Sequence, residues 1–330
     1  MSSRDVVPET ASAPRTSVSF GIVVGVDHYP HFRSLRGAIA DAERFYTWMC
    51  TPAGGGVEPR HARLILSTPE PAMPIHSQID TTLGDLVALA DECGGAGRLY
   101  FYFSGHGASC FGNGTDDVAL LLATWSRNYA RLALSSRAYK GELTTIGLFK
   151  ELVVFLDCCR GTTQRVVGLP PTMTPSLKST PLATREFVAY ATETGRSAFE
   201  TNEIEWQGVF TRQLISILQR SPHGITAGDL KIGLERDLGP LGQQAHVVNE
   251  LLPDSLFGRR GVLPQLAVHF KHAEGRVRLR DGLLRVIAEH LIVDRTWQLE
   301  LPAGLYKLES DTQESLIVQH GGADTTHVVF

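Results

Sequence analysis

Apolar residues recur along this chain with two different spacings. Short, mainly apolar runs, rich in β-branched and aromatic side chains, occupy positions 18–26, 62–66, 98–103, 152–156 and 187–191. Runs of that length and composition predict strands, the longer ones buried on both faces. Between them the spacing lengthens to three and four residues. Leu35, Ala38, Ala42, Phe45 and Met49 form one helical face, Leu83, Leu86 and Leu89 another, and residues 210–218 and 230–238 repeat the pattern. Strands alternating with helices predict an α/β domain over residues 16–260, a mostly parallel sheet sandwiched by helices. Such sheets bind ligands beyond the carboxyl ends of their strands.

Three stretches break the alternation. Residues 1–15 are polar and rich in Pro, Ser and Thr, and are expected to form a disordered arm. Residues 161–185 hold four of the 17 prolines without a clear period, and read as a mobile loop. From residue 265 to 330 the pattern becomes short and alternating: Val277 and Leu279 between Arg276, Arg278 and Arg280, then Trp297, Leu299 and Leu301 between Gln298 and Glu300. That predicts a small β-rich C-terminal domain.

Composition narrows the classes. With 330 residues and 43% hydrophobic content the chain is globular, and a net charge of −4 gives no general case for nucleic acid or an anionic membrane as partner. The first residues include acids and no apolar stretch, so they do not read as a signal peptide. Five cysteines in a chain of this length do not make a disulfide framework. The expectation is a cytoplasmic protein.

Two of the buried runs end in reactive groups, the first in Ser104-Gly105-His106-Gly107 and the second in Asp157-Cys158-Cys159-Arg160. His106 and Cys159 are 53 residues apart, and neighbouring parallel strands would set them side by side above the sheet. An imidazole beside a thiol promotes the thiolate nucleophile. The glycines flanking His106 allow close approach of substrate and leave the Gly107 N–H to help bind an oxyanion. Taken singly, the His is more readily explained as a structural residue and the Cys pair as core packing or a metal-site fragment; the two at matching strand ends are far less expected by chance. No metal is expected: there is no CxxC, and the pairs His28/His31 and His269/His272 complete no ligand set.

From residue 17 to 257 the chain resembles the caspase-like cysteine proteases, the group of caspases, paracaspases and metacaspases. The resemblance is carried by Gly25-Val26-Asp27, by Leu35 to Ala42, by the His106 and Cys159 motifs, by residues 191–200, and by Gly208-Val209-Phe210-Thr211. It implies the caspase-hemoglobinase-like fold, with His106 as general base, Cys159 as nucleophile and Cys158 as a packed neighbour. It also implies an oxyanion hole formed by the Gly107 and Cys159 N–H groups, and no cofactor for the chemistry itself.

Where caspases carry Gln two residues before the nucleophile, this chain has Asp157. That is closer to metacaspases and bacterial relatives, which cut after Arg or Lys. A carboxylate at the pocket floor matches a guanidinium and repels an acidic side chain. By the same resemblance, Asp41 on the first helix joins Asp157 in the S1 pocket. Arg165, Lys178 and Arg185 in the loop after Cys159 are candidate self-cleavage sites. Asp116 and Asp117 are a candidate calcium site, although a solvated loop is the favoured reading. The Arg276, Arg278 and Arg280 stripe is a candidate grip for an anionic nucleotide signal, or else a solvated edge. The expected partners are protein substrates and an activating signal or signalling protein, in a setting such as bacterial antiphage defence, and the expected state is a monomer. The competing reading is a catalytically silent caspase-like scaffold that binds partners or a ligand.

Overall fold

In the computed structural model the described residues are 18–110, 117–128, 132–173, 181–201, 206–220, 224–251, 255–258, 265–272, 274–282, 284–301, 304–312, 314–320 and 325–330. The arm expected over residues 1–15 lies outside them. The chain divides into two units, residues 1–258 and 259–330.

The first unit follows the predicted alternation. Its elements run β1 (Ser19–Gly25), α1 (Ala38–Cys50), β2 (Ala62–Leu66), α2 (His76–Glu92), β3 (Ala96–Ser104), β4 (Gly107–Cys110), β5 (Val118–Leu121), β6 (Ala133–Ser135) and α3 (Ser136–Ile146). They continue with β7 (Phe149–Asp157), β8 (Gly161–Val166), β9 (Arg185–Tyr190), β10 (Glu200–Thr201), β11 (Gln207–Gly208), α4 (Val209–Gln219), β12 (Ile225–Thr226), α5 (Ala227–Leu238), β13 (His246–Asn249) and β14 (Leu256–Phe257). The central sheet has the order β13-β9-β7-β3-β1-β2, parallel except for β13, which runs antiparallel to β9.

Both faces of this sheet are covered, which is why the centres of β1, β3, β7 and β9 are apolar. Along β3, Leu99, Phe101 and Phe103 face one core with α2 and α3, while Tyr100 and Tyr102 face a second core with α1, α4 and α5. β7 splits the same way, with Leu152, Val154 and Leu156 on one side and Val153 and Phe155 on the other. On β1 the positions facing α1 include Gly21 and Gly25. A Cβ at Gly25 would lie 2.7 Å from both the Ala38 carbonyl oxygen and the Ala42 Cβ. The helix therefore packs directly on the strand backbone.

Three features were not legible in the apolar pattern. A second, smaller sheet has the order β6-β5-β4-β8. The segment read as a mobile loop from residue 161 begins with β8, whose Gly161 pairs with Ala108 of β4. Helix α3 is capped by Ser135, whose hydroxyl accepts the Ala138 N–H at 3.0 Å, and closed by Gly147 at φ +63°.

The second unit is the expected β module. Its strands are β15 (Gln265–His269), β16 (Arg276–Arg280), β17 (Val286–Leu291), β18 (Thr296–Glu300), β19 (Gly304–Ser310), β20 (Ser315–His320) and β21 (Thr326–Val329). They form the sheets β18-β15-β21 and β17-β16-β19-β20 around Leu266, Val268, Val277, Leu279 and Leu308. Among the described residues, no helix is long and apolar enough to cross a membrane.

The close approach at β1 makes a test. Gly25→Ala is expected to destabilise the protein by about 1–3 kcal/mol, because the neighbouring helix backbone cannot yield cheaply. Gly84→Ala, in the middle of α2 with open space where its Cβ would lie, is expected to stabilise by about 0.5–1 kcal/mol. Urea midpoints read both, and an unshifted midpoint for Gly25→Ala would contradict the packing.

Candidate active site

The register of the sheet builds the site. β1 pairs Gly25 with Ser104, and β3 pairs Ser104 with Asp157, so three strands end in one row. Beyond the ladder, the Val26 N–H donates to the Ser104 carbonyl at 2.9 Å and the Gly105 N–H to the Asp157 carbonyl at 3.2 Å. His106 and Cys159 each lie two residues past this row, and the structure brings them to one cleft of about 390 Å³. Asp41, Asp157, Glu200 and Trp206 also line it. A larger groove of about 730 Å³ between α1 and α4 contains none of the candidate site residues.

His106 is fixed from several sides. Its backbone N–H donates to the Tyr29 hydroxyl at 2.9 Å, and that hydroxyl donates to the Leu121 carbonyl at 3.1 Å. The ring lies against Tyr29 and Phe32, with centroids 4.8 and 4.9 Å away. Nε2 sits 2.6 Å from the Arg33 carbonyl oxygen. A carbonyl only accepts, so Nε2 carries the hydrogen, and in the neutral ring Nδ1 is left to take a proton. The orienting partner is thus a backbone carbonyl, which no side-chain pattern could announce. Burial pushes the His106 pKa down, and the Arg33 carbonyl partly opposes this.

The two cysteines separate clearly. Cys158 is buried in the core on the α2 side of the sheet, where burial pushes its thiol far up. Cys159 is half-buried, and its sulfur is engaged by the main chain of Ala198: the Ala198 N–H donates to Sγ at 3.3 Å, and Sγ donates to the Ala198 carbonyl at 3.7 Å. Burial raises its pKa as well, with the Ala198 N–H opposing. Gly107 opens β4 where a Cβ would lie 2.7 Å from the Cys159 carbonyl oxygen. Only glycine lets the His and Cys loops close on each other there.

Arg160, which follows Cys159, is fully buried. Its guanidinium lies 4.2 Å from the Tyr190 ring centroid, its N–H donates to the Arg196 carbonyl, and its carbonyl accepts from Gly195. It ties the Cys loop to the segment that carries Ala198. The sequence offered a signal for this: a charged residue directly after a buried strand end.

The two predicted pocket carboxylates are together. Asp41 is 1% exposed and Asp157 6%. Asp41 Oδ2 accepts the Gly208 N–H at 2.6 Å, and Oδ1 takes the Arg44 guanidinium at 3.1 Å. Asp157 Oδ2 accepts the Thr211 N–H at 3.1 Å and its hydroxyl at 2.7 Å. A Cβ on Gly208 would collide with both carboxylates. Burial pushes both pKa values up, and the Asp157 charge adds to the rise at Asp41. Near neutral pH the pair therefore retains a proton.

Glu200 is a cleft residue that sequence reasoning carried only as part of a longer motif. Its Oε1 accepts the N–H groups of Arg36 at 3.1 Å and Gly37 at 2.7 Å, where α1 begins. Asp27 Oδ1 takes the next amide, Ala38, at 2.8 Å.

The remaining candidates lie elsewhere. Arg165 is within β8, Lys178 lies outside the described residues, and Arg185 opens β9 with its guanidinium 3.0 Å from Glu151. Asp116 lies outside the described residues. Asp117 is not in a solvated loop. It is fully buried before α3, where its carboxylate accepts the Ser135 hydroxyl at 2.9 Å and the Arg137 N–H at 3.2 Å. The arginine stripe is built into cross-strand ion pairs: Arg278 with Glu289 at 3.0 Å and Asp311 at 3.4 Å, and Arg280 with Glu309 at 2.8 Å, while Arg276 is exposed. His269 faces His327 on the neighbouring strand, with ring nitrogens 3.1 Å apart, rather than His272. Among the described residues no three His, Cys, Asp or Glu side chains group as a metal site.

These opposite shifts leave a neutral imidazole and a neutral thiol at pH 7. Alkylation of Cys159 by iodoacetamide, followed by mass spectrometry, is expected to accelerate through and beyond the ordinary thiol range of about pH 8.5. A plateau already reached at pH 6 would mean a preformed thiolate–imidazolium pair and contradict the shifts. Cys158 is expected to stay unmodified in the folded protein.

Comparison with known proteins supports the family and the fold. The family model described as "Caspase domain" matches residues 19–239, more than half of the chain. A curated relative from a Desulfuromonadales bacterium, described as "Probable protease", is 26% identical over 233 residues, covering 66% of this chain. The match spans only 27% of that relative's length. The crystal structure of caspase-1 from Spodoptera frugiperda superposes with a TM-score of 0.52 at 13% identity, covering 74% of this chain and 93% of that one. At that identity the likeness is one of fold. The extent of the family match shows that this chain belongs to the caspase-domain peptidases.

Proposed function

We propose that this protein is a cysteine endopeptidase that cleaves polypeptides after arginine or lysine, with Cys159 as nucleophile and His106 as base. The observation that carries the reading is the meeting of His106, Cys159 and the buried Asp41–Asp157 pair in one cleft. A cationic P1 side chain entering there neutralises buried negative charge, whereas an acidic one adds to it.

The chemistry then follows from the groups in place. The Cys159 thiol gives its proton to His106 Nδ1, and the sulfur attacks the scissile carbonyl carbon. The N–H groups of Gly107 and Cys159 stabilise the oxyanion. As the C–N bond breaks, the His106 proton passes to the departing amine. Water activated by the same imidazole then hydrolyses the thioester and restores the thiol.

The protein rests in a restrained state under this reading. The main chain of Ala198 occupies the Cys159 sulfur, and both reacting groups are neutral. Activation requires the segment around Ala198 to release the sulfur so that substrate can take its place. The identity of the signal, and a defence setting, rest on the resemblance to bacterial relatives. Self-cleavage at Arg165 or Lys178 is a second route to release.

Fluorogenic peptides differing only at P1, assayed with and without calcium and a panel of cyclic nucleotides, test the reading. Cleavage is expected after Arg and Lys, absent in Cys159→Ala. In Asp157→Ala the preference for Arg over an uncharged P1 residue is expected to fall by roughly 100-fold, since a charge-assisted hydrogen bond and its buried partner are lost. Cleavage after Asp would contradict the pocket, and turnover surviving in Cys159→Ala would contradict the nucleophile.

A further inference from the structure

Among the described residues lining the cleft, Arg33 is the one with a cationic side chain, and it is exposed. Other arginines nearby are engaged within the protein. Arg36 lies over the Trp206 ring at 5.0 Å, Arg44 pairs with Asp41 at 3.1 Å, and Arg160 lies over the Tyr190 ring at 4.2 Å. Among the described residues the Arg33 guanidinium has no such partner.

The loop that presents Arg33 is held at several points. Phe32 packs on both His106 and Trp125, with ring centroids 4.9 Å from each. The Phe32 N–H donates to the Tyr29 carbonyl at 3.0 Å, and the Leu35 N–H to the Asp27 carbonyl at 2.9 Å. The Arg33 carbonyl itself sits 2.6 Å from His106 Nε2. The guanidinium therefore extends from a fixed point on the His106 side of the cleft. Its charge is felt at the imidazole, where it opposes protonation.

In the reaction proposed above, His106 delivers a proton to the departing amine, so the substrate residues after the cut lie on the His106 side. An extended substrate advances about 3.3 Å per residue, which brings the first two of those residues past Arg33. A carboxylate there meets a rigid fork of N–H donors. It also offsets the positive charge that works against the imidazolium formed in each turnover.

We infer that Arg33 is a specificity-determining residue of a leaving-group-side subsite: it takes a carboxylate from P1′ or P2′, so the preferred polypeptide carries a basic residue followed within two positions by Asp or Glu. The inference rests on the reading of the protein as an Arg/Lys-directed peptidase, and extends it from the residue before the cut to those after it.

Internally quenched peptides with arginine at P1 test it, one pair differing only as Asp against Asn at P1′ and a second pair differing likewise at P2′. The readout is the Asp-to-Asn ratio of kcat/KM within each enzyme, which cancels any general change in activity. The wild type is expected to favour Asp roughly 2- to 5-fold at one of the two positions, as for an ion pair at a site still open to water. The preference is expected to vanish in Arg33→Gln, to persist in Arg33→Lys and to reverse in Arg33→Glu. Each variant keeps the backbone carbonyl that faces His106, and melting temperatures report whether folding is intact. A wild type that cuts after arginine but shows no preference for Asp at either position, or a preference that survives in Arg33→Gln, overturns the inference alone. A wild type with no basic P1 preference, or no cleavage under any addition, overturns the underlying reading and this inference with it.

Discussion

The parallel pairing that sets Gly25, Ser104 and Asp157 in one row is the constraint on which the site depends. In a parallel sheet all strands point the same way, so whatever follows their last paired residues emerges on one edge. Here the loops after β1, β3 and β7 leave that edge side by side, and the His106 and Cys159 loops do so at the same offset from the row. A slip of one residue between β3 and β7 would move every side chain of one strand to the opposite core. The split of Phe101 and Phe103 from Tyr100 and Tyr102 therefore fixes the alignment of the His106 and Cys159 loops. Packing on the two faces and chemistry at the edge are determined by the same register.

The second constraint is electrostatic. Carboxylates as buried as Asp41 and Asp157 are unfavourable unless paired or hydrogen-bonded. The fold meets that requirement only in part. The Gly208 N–H, Arg44 and both donors of Thr211 hold three of the four oxygens, and a retained proton relieves the repulsion that is left. A site incompletely neutralised by its own protein is suited to a cation from outside. The same burial acts on Cys159 and His106 in opposite senses, keeping both neutral while Ala198 holds the sulfur. Under the proposed function, selectivity and restraint share one origin, the exclusion of water from the strand ends.

Much of this was legible in the sequence where burial is two-sided. The centres of β1, β3, β7 and β9 carry no charged residue to confuse the period, and the motifs at their ends stand out because His, Cys and Asp follow closely on apolar residues. The small sheet was not legible: β4, β6 and β8 are short, and β8 is rich in threonine, with its pairing set by distant residues. Asp117 reads as a loop residue until Ser135 and Arg137, nearly twenty positions on, are seen to satisfy it. The Arg33 carbonyl beside His106 and the hold of Glu200 on the Arg36 and Gly37 amides share that character, since both depend on backbone groups that carry no residue signature. The arginine stripe of β16 was legible as a pattern, but its ion pairs with Glu289, Asp311 and Glu309 come from the pairing of strands.

The proposed function requires that a cation in the acidic cleft bring the bond to be cut to Cys159. Labelling the full chain with a peptidyl warhead ending in arginine, beside an otherwise identical one ending in aspartate, tests it most directly. Intact-mass and peptide mapping are expected to find one arginyl adduct, on Cys159, and no aspartyl adduct at matched concentration. An adduct on Cys158, or equal labelling by both probes, would contradict the claim.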